Sequence, residues 1–222
     1  MSEAVSAPAV VAWVRAFAAA VAREREYLTE LDAAIGDADH GINMERGTQA
    51  VLTGLDVAAA GAAGLGPLLK SIGMTLVSSV GGAAGPLYGT LFLAMGTAAG
   101  EATELSPAGW AAALDAGVAG VRARGKAELG DKTMLDALLP AVEALKSAVA
   151  SGLPLEASLR QSAAAGREGM TATVALVARK GRASYLGERS AGHQDPGATS
   201  SWLLLQTAAE TLAGEKRRGA VP

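Results

Sequence analysis

Three aspartates stand close together in the first quarter of the sequence. Asp32, Asp37 and Asp39 lie within eight residues, and Gly36 and Gly41 let the backbone turn around them. Three converging carboxylates repel one another unless a cation or protons compensate their charge. Because Mg²⁺ prefers oxygen ligands and usually shares them with water and substrate phosphates, the cluster predicts a magnesium site that works with a phosphorylated ligand.

The same aspartates allow a plainer interpretation, in which they only form turns and cap helices. An EF-hand is excluded, because neither count of twelve residues, from Asp32 or from Asp37, ends on glutamate. Asp32 lies near the end of a predicted helix, where the helix dipole disfavours a carboxylate, and this argues against capping.

A second glycine-rich loop is a candidate for holding phosphate. The sequence has no Walker A motif and no Rossmann glycine motif, but Gly81–Gly85 leads into Pro86, which can begin a helix. Free N–H groups at a helix start attract anions. Lys132 and Arg182 could supply countercharge. The chain has no cysteine and no obvious activated serine, so nucleophilic catalysis has little support.

Composition and periodicity predict the elements that carry these loops. Half of the residues are apolar but only 4% are aromatic, and the abundance of alanine and leucine favours helices packed closely through small residues. Apolar spacing, helix-starting prolines and glycine breaks predict eight helices, with Thr171–Val177 as the only segment that could pass for a strand. The helices are expected over about 8–33, 42–60, from 67, from 86, from 107, 131–152, 154–180 and 201–213.

The absence of a clear linker or internal repeat predicts a single domain over residues 1–222. In an up-and-down helical array, alternate loops share an end. The loops after the first, third, fifth and seventh predicted helices are 36–41, 81–86, 130–133 and 181–197. They contain most of the polar loop residues, so the sequence predicts one site assembled from four loops.

Charge and hydropathy argue against several classes of protein. The net charge is −3 and no basic patch with interleaved aromatics is present, so we expect no nucleic-acid binding. Residues 71–100 carry no charge, but a glycine loop divides them into halves shorter than the ~20 residues of a membrane span, so no membrane association is expected. The apolar stretch 8–22 lacks the basic start of a signal peptide, and the protein is expected to be cytoplasmic.

Four motifs together resemble the L subunit of dihydroxyacetone (glycerone) kinase, the ADP- or ATP-binding subunit family. They occur in the family's order and span most of the chain. The motifs are LDAAIGDADHGINM at 31–44, GGAAGPLYG at 81–89, GDKTMLD at 130–136 and SYLGERSAGHQDPGA at 184–198.

The resemblance implies an all-α, eight-helix antiparallel barrel with a nucleotide at one rim. It makes Asp32, Asp37 and Asp39 ligands of Mg²⁺, expected as two ions, together with ADP or ATP. No catalytic residue is assigned beyond this metal site. The residues implied to surround the nucleotide are His40, Gly41, Ile42, Asn43, Ala83, Ala84, Gly125, Met134, Arg182, Asp195, Pro196 and Gly197.

The resemblance also implies a kinase that needs a partner. In this family a separate K subunit or domain holds the triose covalently on a histidine, so a K-type partner is expected here. The phosphate comes either from exchangeable ATP or from tightly held ADP that a phosphotransferase-system protein recharges. Self-association into a homo-oligomer stays open.

Two positions depart from the family pattern. Ala38 stands where glycine is usual, which is tolerable if its φ stays negative. Ala84 stands where serine is usual, so a hydroxyl contact to phosphate is missing. This change could mark a relative that acts on another ketose, such as a tetrose.

Two other function classes remain as alternatives. A Mg²⁺-dependent hydrolase is disfavoured by the Gly-His-Gln-Asp-Pro-Gly loop at 192–197 and by the lack of a base–nucleophile pair. A non-enzymatic protein that binds nucleotide as a signal, for instance to contact a transcription regulator, is compatible with the same motifs.

Overall fold

The computed structural model describes residues 4–213, and almost all regular structure in that range is helical. Two short strands, β1 (Val5–Ser6) and β2 (Glu104–Leu105), pair antiparallel. Short 3₁₀ segments lie at Thr173–Ala175 and Arg182–Ser190. The helices are α1 (Ala7–Arg23), α2 (Arg25–Ile35), α3 (His40–Gly61), α4 (Leu65–Ser79), α5 (Ala84–Ala99), α6 (Pro107–Gly125), α7 (Leu135–Ala150), α8 (Leu155–Ala172) and α9 (Pro196–Thr211).

The helices form a closed ring. From α3 to α9, each helix packs against the next one in the sequence, and α1 packs against both α3 and α9. The first predicted helix is broken at Glu24, where φ is −96° and ψ is 9°. Backbone hydrogen bonds from Glu24 to Ala20 and from Leu28 to Glu24 continue across the break, so α1 and α2 are one bent helix. Counted in this way, the predicted eight-helix, all-α ring is confirmed.

Five of the eight aromatic residues are buried in the interior of the ring. The Trp13 ring stacks on Phe92 at 5.5 Å and meets the edge of Trp110 at 5.3 Å between centroids. The Trp13 indole N–H donates to the carbonyl of Leu204, 2.9 Å away. These contacts join α1, α5, α6 and α9, so the aromatic core ties opposite sides of the ring together.

The uncharged stretch predicted as two core helices forms the tightly packed pair α4 and α5. A Cβ added at Gly66 would lie 2.0 Å from the carbonyl oxygen of Gly100, and one at Gly96 would lie 2.7 Å from the oxygen of Gly66. Only glycine permits so close an approach, which confirms packing through small residues. No helix within residues 4–213 combines the length and apolarity needed to cross a membrane.

Several predicted helix ends differ from those observed. Helix α6 begins at Pro107 as expected, and Ser106 caps it by accepting the N–H of Gly109. Helix α7 begins at Leu135 and not at residue 131, and the Asp131 carboxylate accepts the N–H of Glu128 within the preceding loop. The neighbouring α4 and α5 each begin two residues before their prolines, at Leu65 and Ala84.

The last part of the chain was the least accurately predicted. Helix α8 ends at Ala172 and not near Lys180, and Thr171–Val177 forms a helix end and a 3₁₀ turn, not a strand. The last helix begins at Pro196, five residues earlier than expected, because the Asp195 side chain caps it. The Lys132 ammonium donates to four backbone carbonyls of this region.

Candidate nucleotide and metal site

The four polar loops meet at one end of the ring, as predicted, and line a single cavity of about 500 Å³. The first residues of α3, α5, α7 and α9 all lie on its wall; they are His40, Ala84, Leu135 and Pro196. Each helix start carries partial positive charge and free N–H groups. The cavity therefore suits an anionic ligand such as a phosphate chain.

The three aspartates converge at the edge of this cavity. One carboxylate oxygen from each of Asp32, Asp37 and Asp39 lies within 4.8 Å of the others. A Cβ at residue 36 would lie 2.0 Å from Oδ1 of Asp32, so the glycine there is what lets the loop pass this carboxylate. The donor set is all oxygen and all anionic, which fits a hard divalent cation such as Mg²⁺.

Asp32 has a second role, which the sequence analysis argued against. Its Oδ2 accepts the N–H groups of Asp39 and His40, at 2.8 and 3.1 Å, and so caps the start of α3. The expectation that Asp32 does not cap was wrong because the capped helix is the next one, α3, and not the one that ends nearby. Both bonds use Oδ2, so Oδ1 can ligate a cation.

Ala38 lies between two of the candidate ligands in a left-handed conformation, with a φ of 61°. Alanine was expected to be tolerable here if its φ stayed negative, and this condition is not met. The tight turn places Asp37 and Asp39 on the same side and delivers the N–H of Asp39 to Asp32. A non-glycine residue pays about 1–2 kcal/mol for this conformation.

Arg182 reaches the aspartate cluster from the other end of the chain. Its guanidinium lies 3.0 Å from a carboxylate oxygen of Asp37. Lys132, the other proposed countercharge, lines the same cavity but is buried, and its ammonium donates to backbone carbonyls. Of the two cations, Arg182 is the one in contact with the aspartate cluster.

A chain of hydrogen bonds fixes His40 from behind. Its Nε2 lies 2.8 Å from the hydroxyl of Ser200, which lies 2.7 Å from the Tyr88 hydroxyl. Burial lowers the pKa of His40, although Asp32 and Asp39 act to raise it. The roles of Ser200 and Tyr88 were not predicted from the sequence, because only the tertiary fold brings α5 and α9 to the start of α3.

Asn43 connects the start of α3 to the glycine-rich loop. Arg46 donates to Oδ1 of Asn43 at 2.7 Å and to the carbonyl of Ser79 at 3.0 Å. A Cβ at residue 81 would lie 2.5 Å from that same Oδ1, so Gly81 lets the loop lie against the amide. The Asn43 side chain is therefore held in a defined position beside the glycine-rich loop 81–85.

One side of the cavity is apolar. Leu87, Val121 and Met134 contribute to it from α5, α6 and the residue before α7. Gly125 also lies on this wall, and a Cβ there would make an ordinary contact of 3.4 Å with Cδ2 of Leu87. Such a surface suits a flat, weakly polar ring more than a phosphate.

Asp195 is the buried N-cap of α9. Its Oδ2 accepts the N–H of Ala198 at 2.7 Å. Burial raises its pKa to about 7, against the lowering effects of the Ala198 N–H and of Lys132. The carboxyl group therefore carries a proton for part of the time near neutral pH.

Most of the predicted nucleotide residues lie on the cavity wall. Two do not line it: Gly41 is buried between α2 and α3, where a Cβ would lie 2.0 Å from the carbonyl oxygen of Arg25, and Ile42 is 43% exposed. The predicted residues that line the cavity are His40, Asn43, Ala83, Ala84, Gly125, Met134, Arg182, Asp195, Pro196 and Gly197.

A ring of helices with an acidic cluster and four helix starts at one rim suits a domain that binds a phosphorylated ligand together with a divalent cation. A family model for the DAK2 domain matches residues 34–210, and the chain belongs to this family, in the branch of the dihydroxyacetone kinase L subunits. The resemblance drawn from the four motifs is thereby confirmed.

Two relatives are similar over most of their length. The chain is 45% identical over 197 residues to the Escherichia coli (strain K12) "PEP-dependent dihydroxyacetone kinase, ADP-binding subunit DhaL", which covers 89% of this chain and 93% of the relative. It is 41% identical over 203 residues to the Lactococcus lactis "PTS-dependent dihydroxyacetone kinase, ADP-binding subunit DhaL", covering 91% of this chain and 96% of that one.

A solved structure shares the fold. The dihydroxyacetone kinase of C. freundii in complex with AMP-PNP and Mg²⁺ superimposes with a TM-score of 0.69 at 25% identity. The match covers 90% of this chain and 33% of that protein, so this chain spans about a third of the solved kinase.

Proposed function

We propose that this chain is the nucleotide-binding subunit of a dihydroxyacetone-type kinase. It binds ADP or ATP with Mg²⁺ and passes a phosphoryl group to a ketose held by a K-type partner subunit. The observation that carries the proposal is the meeting of three aspartates with four helix starts at one cavity, in a member of this kinase family. The whole of residues 1–222 acts as one nucleotide-binding domain.

Asp32, Asp37 and Asp39 hold the magnesium, and we expect two ions because three carboxylates and a phosphate chain offer enough oxygen ligands for both. The bound metal neutralises phosphate charge during transfer. The residues of the chain supply position and charge: the N–H groups at the start of α5 face the phosphates, and Arg182 adds a cation beside Asp37.

The purine lies in the apolar section formed by Leu87, Val121 and Met134, and Gly125 lies on the same wall. The phosphates then extend from Ala83 and Ala84 toward the aspartates. In this arrangement the other predicted nucleotide residues on the wall, including His40, Asn43 and Asp195, also surround the nucleotide. The partner that holds the ketose then docks at the open rim of the cavity.

The two relatives favour one phosphate donor over the other. Both are named as ADP-binding subunits, one dependent on PEP and the other on the PTS. We therefore propose that ADP stays bound and is recharged in place by a phosphotransferase-system protein. Gel-filtered protein should then retain ADP in the presence of Mg²⁺, whereas a subunit that exchanges ATP would lose it.

The metal site is tested by calorimetry with ADP and Mg²⁺. Asp37→Ala should abolish measurable binding, and EDTA should do the same to the unmodified protein. Asp56→Ala is the matched control, because Asp56 is an exposed aspartate paired with Arg15 on the ring surface. Undiminished ADP binding in both Asp37→Ala and EDTA-treated protein would remove the proposed site.

The need for a partner is tested by assaying the chain alone with dihydroxyacetone and with erythrulose. We expect no phosphorylated product from either ketose without a K-type subunit, and product when a K-type subunit and the donor are added. Robust ketose phosphorylation by the chain alone would contradict the proposal. Release of inorganic phosphate from ATP without any ketose would favour the hydrolase alternative.

A further inference from the structure

Lys132 is one of the most deeply buried charged residues in the described part of the chain, with 1% of its surface exposed. Its ammonium group lies among four backbone carbonyl oxygens. These belong to Thr173, Leu176, Ser190 and His193, at 2.8, 3.0, 2.7 and 2.5 Å. A buried ammonium is costly unless all of its N–H groups are bonded, and the four carbonyls take up its three donors.

All four carbonyls come from the segment 173–195 that joins α8 to α9. Thr173 follows the last residue of α8, Leu176 ends a 3₁₀ turn, and Ser190 ends another. The last carbonyls of helical turns point away from the turn and carry partial negative charge. The ammonium therefore lies where the carbonyl ends of several turns meet.

The segment buries little apolar surface, and a small cluster of Ile35, Ala178 and Ala183, joined by Leu186, lies under it. Polar contacts add to the bonds of Lys132: Ser190 Oγ accepts the N–H of Ala178, Thr173 Oγ1 accepts that of Asp195, and the carbonyl of Asp131 accepts that of Arg179. With so little apolar burial, polar cross-links must hold most of the segment in place.

The other end of the cross-link is a rigid point of the fold. Lys132 precedes α7 in a tight loop, with a left-handed φ of 62°. Asp136, in the first turn of α7, accepts the N–H groups of Gly130 and Thr133 at 2.6 and 2.7 Å. The lysine is thus anchored to α7 at its backbone and to the segment at its side chain.

We propose that Lys132 is a positioning residue for the nucleotide. Its ammonium acts as an internal cation that holds the segment 173–195 against α7 and so places Arg182 and Asp195 at the cavity. It acts through these residues and not as a charge on the phosphates. The inference rests on the proposed nucleotide site for its ligand, but the cross-link itself can be tested without nucleotide.

The first test is trypsin digestion of the Lys132→Met variant without nucleotide. Methionine keeps much of the side-chain volume and removes the ammonium, so cleavage after Arg179, Lys180 and Arg182 should become about tenfold faster while helix content stays unchanged. Lys146→Met is the matched control. It removes an exposed lysine that pairs with Asp115 and Glu143 away from the cavity, and it should leave the cleavage rate unaltered.

The second test measures ADP binding with Mg²⁺ in a double-mutant cycle. Lys132→Met should weaken binding about tenfold, and it should weaken it less when Arg182 has already been changed to alanine. This coupling separates a residue that works through Arg182 from one that contacts phosphate directly, whose effect would be fully additive.

Chemical rescue provides a third readout. Lys132→Ala leaves room for propylammonium, which matches the missing atoms, and its addition should restore both trypsin resistance and ADP binding. Propanol has the same chain without the charge and should restore neither. Equal rescue by propanol would show that volume, not the cation, is what the segment needs, and would overturn the proposal.

The remaining outcomes are equally decisive. Faster cleavage with unchanged ADP affinity would make the lysine merely structural, and weaker ADP binding with unchanged cleavage would make it a direct ligand. If Lys132→Met does not fold, Lys132→Gln, which keeps two donors, replaces it. If neither variant folds, the lysine is required for folding of the whole protein and the proposal is refuted. If the unmodified protein binds no ADP, the proposed function fails, while the trypsin result still decides the cross-link.

Discussion

Arg182 and Asp37 form an ion pair 3.0 Å long that joins the loop after α2 to the segment before α9. The Asp37 carboxylate is also one of the three candidate metal ligands. A cation bound at the proposed site would compete with Arg182 for this carboxylate, and the arginine would then be available to a phosphate. Since both side chains are partly exposed, the pair contributes only about 0–1 kcal/mol to folding.

We expect Arg182→Ala to weaken binding of ADP with Mg²⁺ about tenfold to a hundredfold, because a hydrogen bond to a charged group is worth about 1.5–3 kcal/mol. The melting temperature without ligand should barely change. Calorimetry and thermal unfolding measure the two effects. Arg160→Ala, which removes an exposed arginine paired with Glu156 on α8, is the control and should alter neither; equal ADP affinity in both variants would rule out a phosphate contact by Arg182.

Ala38→Gly should stabilise the protein. The left-handed φ of 61° costs an alanine about 1–2 kcal/mol, which glycine avoids. Glycine is also more flexible in the unfolded chain, and this lowers the gain in stability by about 0.5–1 kcal/mol. A net gain of about 0.5–1 kcal/mol should raise Tm by about 2 °C, measured by calorimetry. Ala38→Val should lower Tm, because a β-branched residue fits this conformation less well than alanine. A lower Tm in the glycine variant would mean that the turn is not strained.

Asp195 should make stability depend on pH. Its native pKa of about 7 lies above the ordinary 3.8, so the native state binds more protons than the unfolded state between these values. The free energy of unfolding should therefore fall as pH rises from about 4 to 7, by at most about 1.4 kcal/mol per pH unit, and level off above pH 7.

Urea unfolding between pH 4.5 and 8, without metal or nucleotide, measures this slope. Asp195→Asn keeps an oxygen that can accept the Ala198 N–H, and it should remove the contribution of this one group. Asp115→Asn, at an exposed position on α6, should keep the slope of the unmodified protein. An Asp195→Asn variant with an unchanged slope would show that the carboxyl group titrates normally.

Substitutions at Ala84 test whether the N–H groups at the start of α5 bind the phosphates. Leu87 makes the first backbone hydrogen bond of the helix, to Ala83, and Pro86 has no N–H, so the N–H of Ala84 is one of few that the first turn offers. Ala84→Ser should tighten ADP binding by at most about tenfold to a hundredfold, or leave it unchanged.

Ala84→Pro should weaken ADP binding, because it removes that N–H. Ala83 has a helical conformation, with a φ of −72° and a ψ of −23°, which a following proline disfavours, so circular dichroism must confirm that the variant folds. A folded proline variant that binds ADP as well as the unmodified protein would place the phosphates elsewhere.

The sequence alone determined the features that depend on local pattern and on order along the chain. Helical periodicity and breaks at glycine and proline predicted eight helices, and the alternation of loops in an up-and-down array placed the four polar loops at one end. The closed barrel was implied by the resemblance of four motifs to a known family. Asp32, Asp37 and Asp39 lie so near in sequence that a single turn brings them together, so their convergence could also be predicted.

Tertiary structure decided the features that depend on partners far apart in the sequence. No local pattern indicates that the Lys132 ammonium donates to carbonyls more than forty residues away. The sequence also did not indicate that α8 ends eight residues earlier than predicted, or that burial raises the pKa of Asp195. The φ of Ala38 is likewise imposed by the hydrogen bonds that Asp32 accepts from the next helix. The lysine contacts, the pKa of Asp195 and the turn at Ala38 all depend on burying or bonding polar groups, and only the assembled fold defines which groups are buried and which partners they meet.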